Sequence, residues 1–133
     1  MKREVTGSCR PWAISCRAAV ALCVCLSSAF GPAHGIQLQR GPHAGRLLVG
    51  AVQNGPNSNG AFGVFSDDGG ITWQRGAGVE AEDRINPSES VMVELVDGRI
   101  QMNSRNRGGH ERPRAVAFSR DGGATFPQKG LAA

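Results

Sequence analysis

The chain has 133 residues, with 19 Gly, 7 Pro, a hydrophobic fraction of 40% and a formal net charge of +4. That length suits one domain rather than two, the charge is too small for disorder, and no apolar run reaches the ~18 residues of a membrane-spanning helix. Aromatic residues make up only 5%, as five Phe, two Trp and no Tyr.

The first thirty residues differ from the rest. Residues 1–33 carry four basic side chains against one acidic, and residues 34–133 carry eleven against ten, so most of the excess charge sits in the leader. All four cysteines, Cys9, Cys16, Cys23 and Cys25, lie there as well. The body has nothing to form a disulfide with, and the spacing is not that of a zinc site. Basic residues up to Arg17 precede the apolar stretch Ala18 to Phe30, the length of a signal-peptide core. Residues 1–30 are thus expected to be a signal-like or a non-native leader, to which any helix is confined, with 31–133 as the folded body. Secretion or export to the periplasm follows only if the leader is a genuine signal. No nucleic-acid footprint is present, because the densest basic cluster (Arg105, Arg107, Arg112, Arg114) is interrupted by Glu111 and lacks interleaved aromatics.

From Ile36 onward, short alternating or apolar runs alternate with Gly, Asn and Asp clusters. Strands are expected over 46–53, 60–66, 90–96, 99–104 and 114–119, separated by turn-forming NGPNSNG, SDDGG, VDGR and SRDGG. No helical period appears after residue 35, so the body is predicted to be all-β. If Asp97-Gly98 closes a two-residue hairpin, Ser90 pairs with Arg105, and Val91, Val93 and Leu95 share a buried face with Ile100, Met102 and Ser104. In that register Glu94 is a surface charge, and Arg105 lies on the face opposite Glu89.

The body contains a repeat. Phe65 to Trp73 (FSDDGGITW) recurs as Phe118 to Phe126 (FSRDGGATF) at a constant offset of 53 residues. Each part of the shared S-x-D-x-G-x-T-[WF] pattern has a mechanical use. Asp68 and Asp121 accept backbone N–H groups inside the turn, Gly70 and Gly123 supply positive φ, and Trp73 and Phe126 pack the hairpin on its neighbour. A repeat of this size, built of short strands, is the mark of a β-propeller blade. The Asp residues are read as structural, since the spacing of an EF-hand calcium loop is missing.

The repeat is the Asp box, or bacterial neuraminidase repeat, at residues 66–73 and 119–126, and with it the chain resembles the sialidase family. The resemblance also rests on Gly31-Pro32-Ala33-His34-Gly35-Ile36-Gln37-Leu38, similar to the family's GPGHGIQL. Glu89-Ser90-Val91-Met92-Val93-Glu94-Leu95 is similar to ESQVVEL, and Asn103-Ser104-Arg105-Asn106 to N-x-R-N. The elements follow the family's order over about three quarters of the chain. Val49-Gly50-Ala51-Val52 stands where the family often has VPAY.

The resemblance implies about two antiparallel blades of a six-bladed propeller and an exo-α-sialidase that releases terminal sialic acid from glycans without a metal or cofactor. That chemistry uses a Tyr nucleophile, a Glu that takes its proton, an Asp acid/base and three Arg that grip the substrate carboxylate. By motif match Glu89 has the role of the activating Glu and Arg105 that of the middle arginine. The nucleophile, the Asp and the other two arginines have no counterpart here, so this stretch alone is expected to be inactive. The alternative is a non-catalytic Asp-box segment that serves as a binding or structural scaffold. His34, His43 and His110 receive no catalytic role.

Overall fold

The structure, a computed structural model, describes residues 27–30, 33–55, 58–81, 84–108 and 113–132. Strands β1 (Ser27–Phe30), β2 (Ile36–Gln37), β3 (Leu47–Gly55), β4 (Ser58–Ser66), β5 (Gln74–Arg75) and β6 (Val79–Glu80) form one antiparallel sheet. Its path is β1-β3-β4-β5, with β2 also on β3 and β6 also on β4. Strands β7 (Pro87–Glu94), β8 (Ile100–Asn106), β9 (Ala115–Ser119) and β10 (Gln128–Leu131) form the second sheet in the order β10-β9-β8-β7. Both main paths are four-stranded meanders with an Asp box between the third and fourth strands, so the chain builds two equivalent blades. The all-β architecture agrees with the alternation read from the sequence. The five anticipated strands are present, and the short strands β2, β5, β6 and β10 carry too few residues to show a period. Residues 27–30, counted with the leader on sequence grounds, instead pair with β3 from Ser27–Asn54 to Phe30–Ala51. The remainder of the leader lies outside the described residues.

The core is the seam between the blades. Leu48, Ala61 and Phe65 of the first sheet meet Met92, Ile100, Met102 and Ala117 of the second, and Phe126 closes the cluster. Two glycines let the sheets come this close. A Cβ on Gly50 would stand 2.9 Å from the Ser90 carbonyl oxygen, and one on Gly63 would stand 2.6 Å from that of Gly123. Any side chain at either position would push the blades apart.

The seam also shows which face of β7 is buried, and the sequence expectation is overturned here. Leu95 N–H donates to the Arg99 carbonyl (2.8 Å) and Gly98 N–H to the Leu95 carbonyl (3.0 Å). The loop therefore has three residues, Val96, Asp97 and Gly98, with Gly98 at φ +80°, as a type I turn followed by a left-handed glycine requires. Asp97 accepts from Arg99 N–H (3.1 Å) and Nε (2.7 Å), which favours this longer loop over the two-residue one. The register moves by one, to Ser90–Ser104, Met92–Met102 and Glu94–Ile100. From Ser90 to Glu94 every side chain thus changes face relative to the expectation. Met92 is buried and Val93 is exposed. Glu94 becomes an internal anchor instead of a surface charge. Its side chain is only 8% exposed, and it accepts the backbone N–H groups of Gln39 (2.8 Å) and Arg40 (2.9 Å).

The two Asp boxes repeat one hydrogen-bonded cage. In the first, Ser66 Oγ donates to Asp68 Oδ1 (2.7 Å) and accepts Gly70 N–H (2.8 Å), while Thr72 N–H donates to Asp68 Oδ1 (2.8 Å). In the second, Ser119, Asp121, Gly123 and Thr125 make the same three bonds at 2.7, 2.8 and 2.9 Å. Gly70 and Gly123 have φ of +94° and +87°, as anticipated. Phe126 is buried in the seam, whereas Trp73 packs on the outer cluster of Ala51, Phe62 and Val64.

Arg46 joins the cages. It forks onto Asp67 with Nε (2.7 Å) and Nη2 (2.8 Å) and donates through Nη1 to the carbonyls of Asp121 (3.0 Å) and Gly122 (3.2 Å). Its guanidinium lies 4.1 Å from the Phe65 ring centroid. Replacing it by Met keeps most of the apolar volume and removes every donor. Hydrogen bonds to charged groups each contribute roughly 1.5–3 kcal/mol, and Asp67 is half exposed, so Arg46→Met is expected to lower stability by about 2 kcal/mol. A urea midpoint unchanged from wild type would show that the bridge does not hold the blades together.

Hydrogen bonds from the Thr72 side chain and N–H, then from Ser66, hold the Asp68 carboxyl down to about 2 from its ordinary 3.8. Asp121 is lowered as well. Burial pulls it upward, and the bonds from Thr125 and Ser119 outweigh that pull. A depressed folded-state pKa stabilises the fold above the unfolded value and is lost as pH falls through the folded one. The Asp68 contribution therefore fades between about pH 4 and pH 2. Urea titrations across that window should show a shallower acid loss in Asp68→Asn than in wild type, and parallel curves would exclude the cage as the source.

Candidate functional site

The site grows from an irregularity in the β7–β8 hairpin. Ser90 pairs with Ser104 and Pro87 with Asn106, so Ser88 and Glu89 together oppose Arg105. This bulge re-aims the strand end. Because the true register differs by one from the two-residue expectation, Glu89 and Arg105 share a face rather than lying on opposite ones. Arg105 Nη1 lies 3.2 Å from Glu89 Oε2 and 3.5 Å from Oε1. Both side chains reach solvent, at 62% and 45% exposure. An exposed pair contributes only about 0.2–1 kcal/mol, so a competing carboxylate can separate it at little cost.

Beneath the pair lies a polar floor. Ser90 Oγ donates to the Ser88 carbonyl (2.6 Å) and sits 2.8 Å from Ser104 Oγ. A hydroxyl has one proton, so Ser104 is the donor in the second contact. These buried bonds fix the strand on which Glu89 stands. Asn106 closes the hairpin's open end: its Oδ1 accepts Asn86 N–H (2.8 Å) and its Nδ2 donates to the Arg84 carbonyl (2.9 Å). The last Asn of the N-x-R-N motif is thus a structural clamp.

Glu89 and Arg105 line a cavity of about 240 Å³ with Ala33, Ser90, Val91 and Arg114. Arg114 is a wall residue that the sequence does not single out, because it reads as one charge in a basic run. Its Nε donates to Asn103 Oδ1, and its Nη2 reaches the Asn103 carbonyl at 3.4 Å. A signal was available in the spacing, since Asn103 and Arg105 share a face of β8 and Val116 of β9 pairs with Asn103. Two guanidiniums against one carboxylate leave a net positive wall. Such a wall suits an anionic ligand, and planar guanidinium suits a carboxylate best. Among the described residues no group of three His, Cys, Asp or Glu is placed to hold a metal ion, and no helix is long and apolar enough to cross a membrane.

Comparison with known proteins places this arrangement in a family. The model of the BNR repeat-like domain matches residues 25–131. A sialidase of Micromonospora viridifaciens is 43% identical over 95 residues, covering 69% of this chain and 14% of the relative. A sialidase of Vibrio cholerae serotype O1 is 34% identical over 116 residues, covering 72% of this chain and 15% of the relative. The chain therefore spans about one seventh of the length of these relatives. Among solved structures, a leech intramolecular trans-sialidase complexed with 2,7-anhydro-Neu5Ac superposes with a TM-score of 0.60 and 29% identity, over 78% of this chain and 14% of that one. A protein of unknown function from Dyadobacter fermentans superposes with a TM-score of 0.58 and 27% identity, over 76% of this chain and 27% of that one. The two Asp-box blades, the bulged hairpin and these matches together make the chain a member of the sialidase family of BNR-repeat proteins.

Proposed function

We propose that residues 87–106 form one wall of a sialidase-type glycosidase site that takes the carboxylate of a terminal sialic acid on a glycan. The observation that carries this reading is the Glu89–Arg105 pair, solvent-accessible and sharing one cavity. Arg105 grips the ligand carboxylate by exchanging it for Glu89. Glu89, released, becomes the base that draws the proton from a nucleophile. That nucleophile is not among these residues, because the 133-residue sequence contains no Tyr. Glu89 is a poor substitute, since a carboxylate approaching the ligand's own carboxylate is repelled.

The chain by itself is accordingly a recognition wall without turnover. Purified full-length chain is expected to release no fluorescent aglycone from a sialic-acid glycoside above background, with Glu89→Ala as control. Turnover that disappears in Glu89→Ala would overturn this part of the reading.

The missing Tyr also favours a second reading, in which the blades serve only as a scaffold. Binding separates the two. Free sialic acid, followed by ligand-observed NMR, should bind weakly to the wild-type chain. Arg105→Ala should weaken that binding about tenfold, the loss of roughly one charge-assisted pair, and Arg105→Lys should not restore it, because an ammonium lacks the planar fork. Equal binding by wild type and Arg105→Ala would leave the scaffold reading in place.

A further inference from the structure

A second cavity, of about 170 Å³, opens at the opposite end of the β7–β8 hairpin from Glu89 and Arg105. Three segments meet there: the 3-10 turn Gly41–His43, the three-residue hairpin loop, and the second Asp box. Its walls carry three guanidiniums, from Arg40, Arg99 and Arg120, together with His43 and one carboxylate, that of Asp97. Two of those guanidiniums are matched. Arg40 lies 3.5 Å from Glu94. Arg99 holds Asp97 through Nε at 2.7 Å and stacks 5.3 Å above the Phe118 ring centroid.

Among the described residues Arg120 pairs with no carboxylate, and the repeat shows how unusual it is. One repeat earlier, at the offset of 53, the same position is Asp67, whose carboxylate is consumed by Arg46. The second box reverses the sign at this position. His43 meanwhile packs against Gly122, where a Cβ would stand 2.8 Å from the imidazole Cγ. This contact holds the wall of the cavity to the Asp-box turn.

We propose that this cavity is a binding site for a small tetrahedral oxyanion, such as the sulfate or phosphate group of an esterified ligand, with Arg120 supplying the uncompensated charge and Arg99 and Arg40 its flanking donors. Size supports the class. Sites for drug-sized ligands run to about 300–1,000 Å³, so the smaller volume here fits an oxyanion and not a nucleotide or a whole sugar chain. Guanidinium donors suit the ligand because their fork matches phosphate-type oxygens. Arg99 uses only Nε on Asp97, leaving both of its terminal nitrogens uncommitted to that carboxylate. The site draws on none of the residues assigned to sialic acid, so each reading can fail without the other.

The test is a titration of the full chain with sodium sulfate and with sodium phosphate, against sodium chloride at matched ionic strength, followed by amide NMR. Saturable shifts confined to Gly98, Arg99, Arg120 and Gly122 are expected for both oxyanions and not for chloride. Tighter phosphate than sulfate points to a phosphate ester, and the reverse order to a sulfate ester; both support the site. Arg120→Glu should weaken binding at least about tenfold, one lost charge-assisted contact replaced by a repulsive one. Because Arg120 is exposed, amides outside the cavity should not move in that variant and so report intact folding. Arg105→Ala should bind the oxyanions like wild type. Sulfate strengthens folding non-specifically, so linear, non-saturating shifts, or the same isotherm in Arg120→Glu, would overturn the proposal.

Discussion

The fold hangs on one guanidinium. A single sheet of short strands buries too little to stand alone, and two sheets must share a seam to do so. Arg46 closes that seam at its Asp-box end. It is among the few charged side chains that the structure buries, and it is tolerated because each of its directions has a use. The fork goes to Asp67 of its own blade, the remaining nitrogen to two carbonyls of the next blade, and the ring face of Phe65 covers it. A buried cation without such partners would cost several kcal/mol. With them it fixes one cage relative to the other, and Leu48, Met92 and Met102 fill the space behind.

The placement of the cavity wall that carries Glu89 and Arg105 follows from that seam by way of the hairpin. The seam demands Met92 on the inner face. The three-residue loop delivers it there, and the bulge at Ser88 and Glu89 then turns the strand end so that Glu89 meets Arg105. The Glu89–Arg105 wall and the packing of the core are consequently one geometric decision made twice along the same strand. Arg114, the residue before β9, joins them through Asn103, so three side chains supply a charge each to one cavity.

Much of this was legible in the residues. The 53-residue repeat gave the blades, the turn glycines and the structural Asp68 and Asp121, because each of those rests on contacts within a few residues. Glu89 and Arg105 were legible as motif positions, while their roles rest on resemblance. What escaped is whatever depends on a length or on a partner distant in sequence. Asp97-Gly98 looks like a two-residue turn, and the backbone bonds from Leu95 to Arg99 and from Gly98 to Leu95 show that Val96 belongs to the loop. That single residue misplaced Val91, Val93 and Leu95 into the core. It also left Glu94 on the surface, where in fact the backbone of Gln39 and Arg40, more than fifty residues away, takes it up. The strand Ser27–Phe30 escaped because its composition reads as part of an apolar leader.

The loop at Val96, Asp97 and Gly98 has a consequence for how such a protein can diverge. Val96 is almost wholly exposed and its identity is nearly free, so drift there leaves the blades untouched. Its presence is another matter. A deletion of that one codon would shift the strand pairing by one and invert a whole strand, sending Met92 to solvent and parting Glu89 from Arg105. Selection in this segment therefore acts on length far more than on composition. Descendants of such a sequence can be expected to accumulate varied letters in the loop while gaps and insertions stay rare.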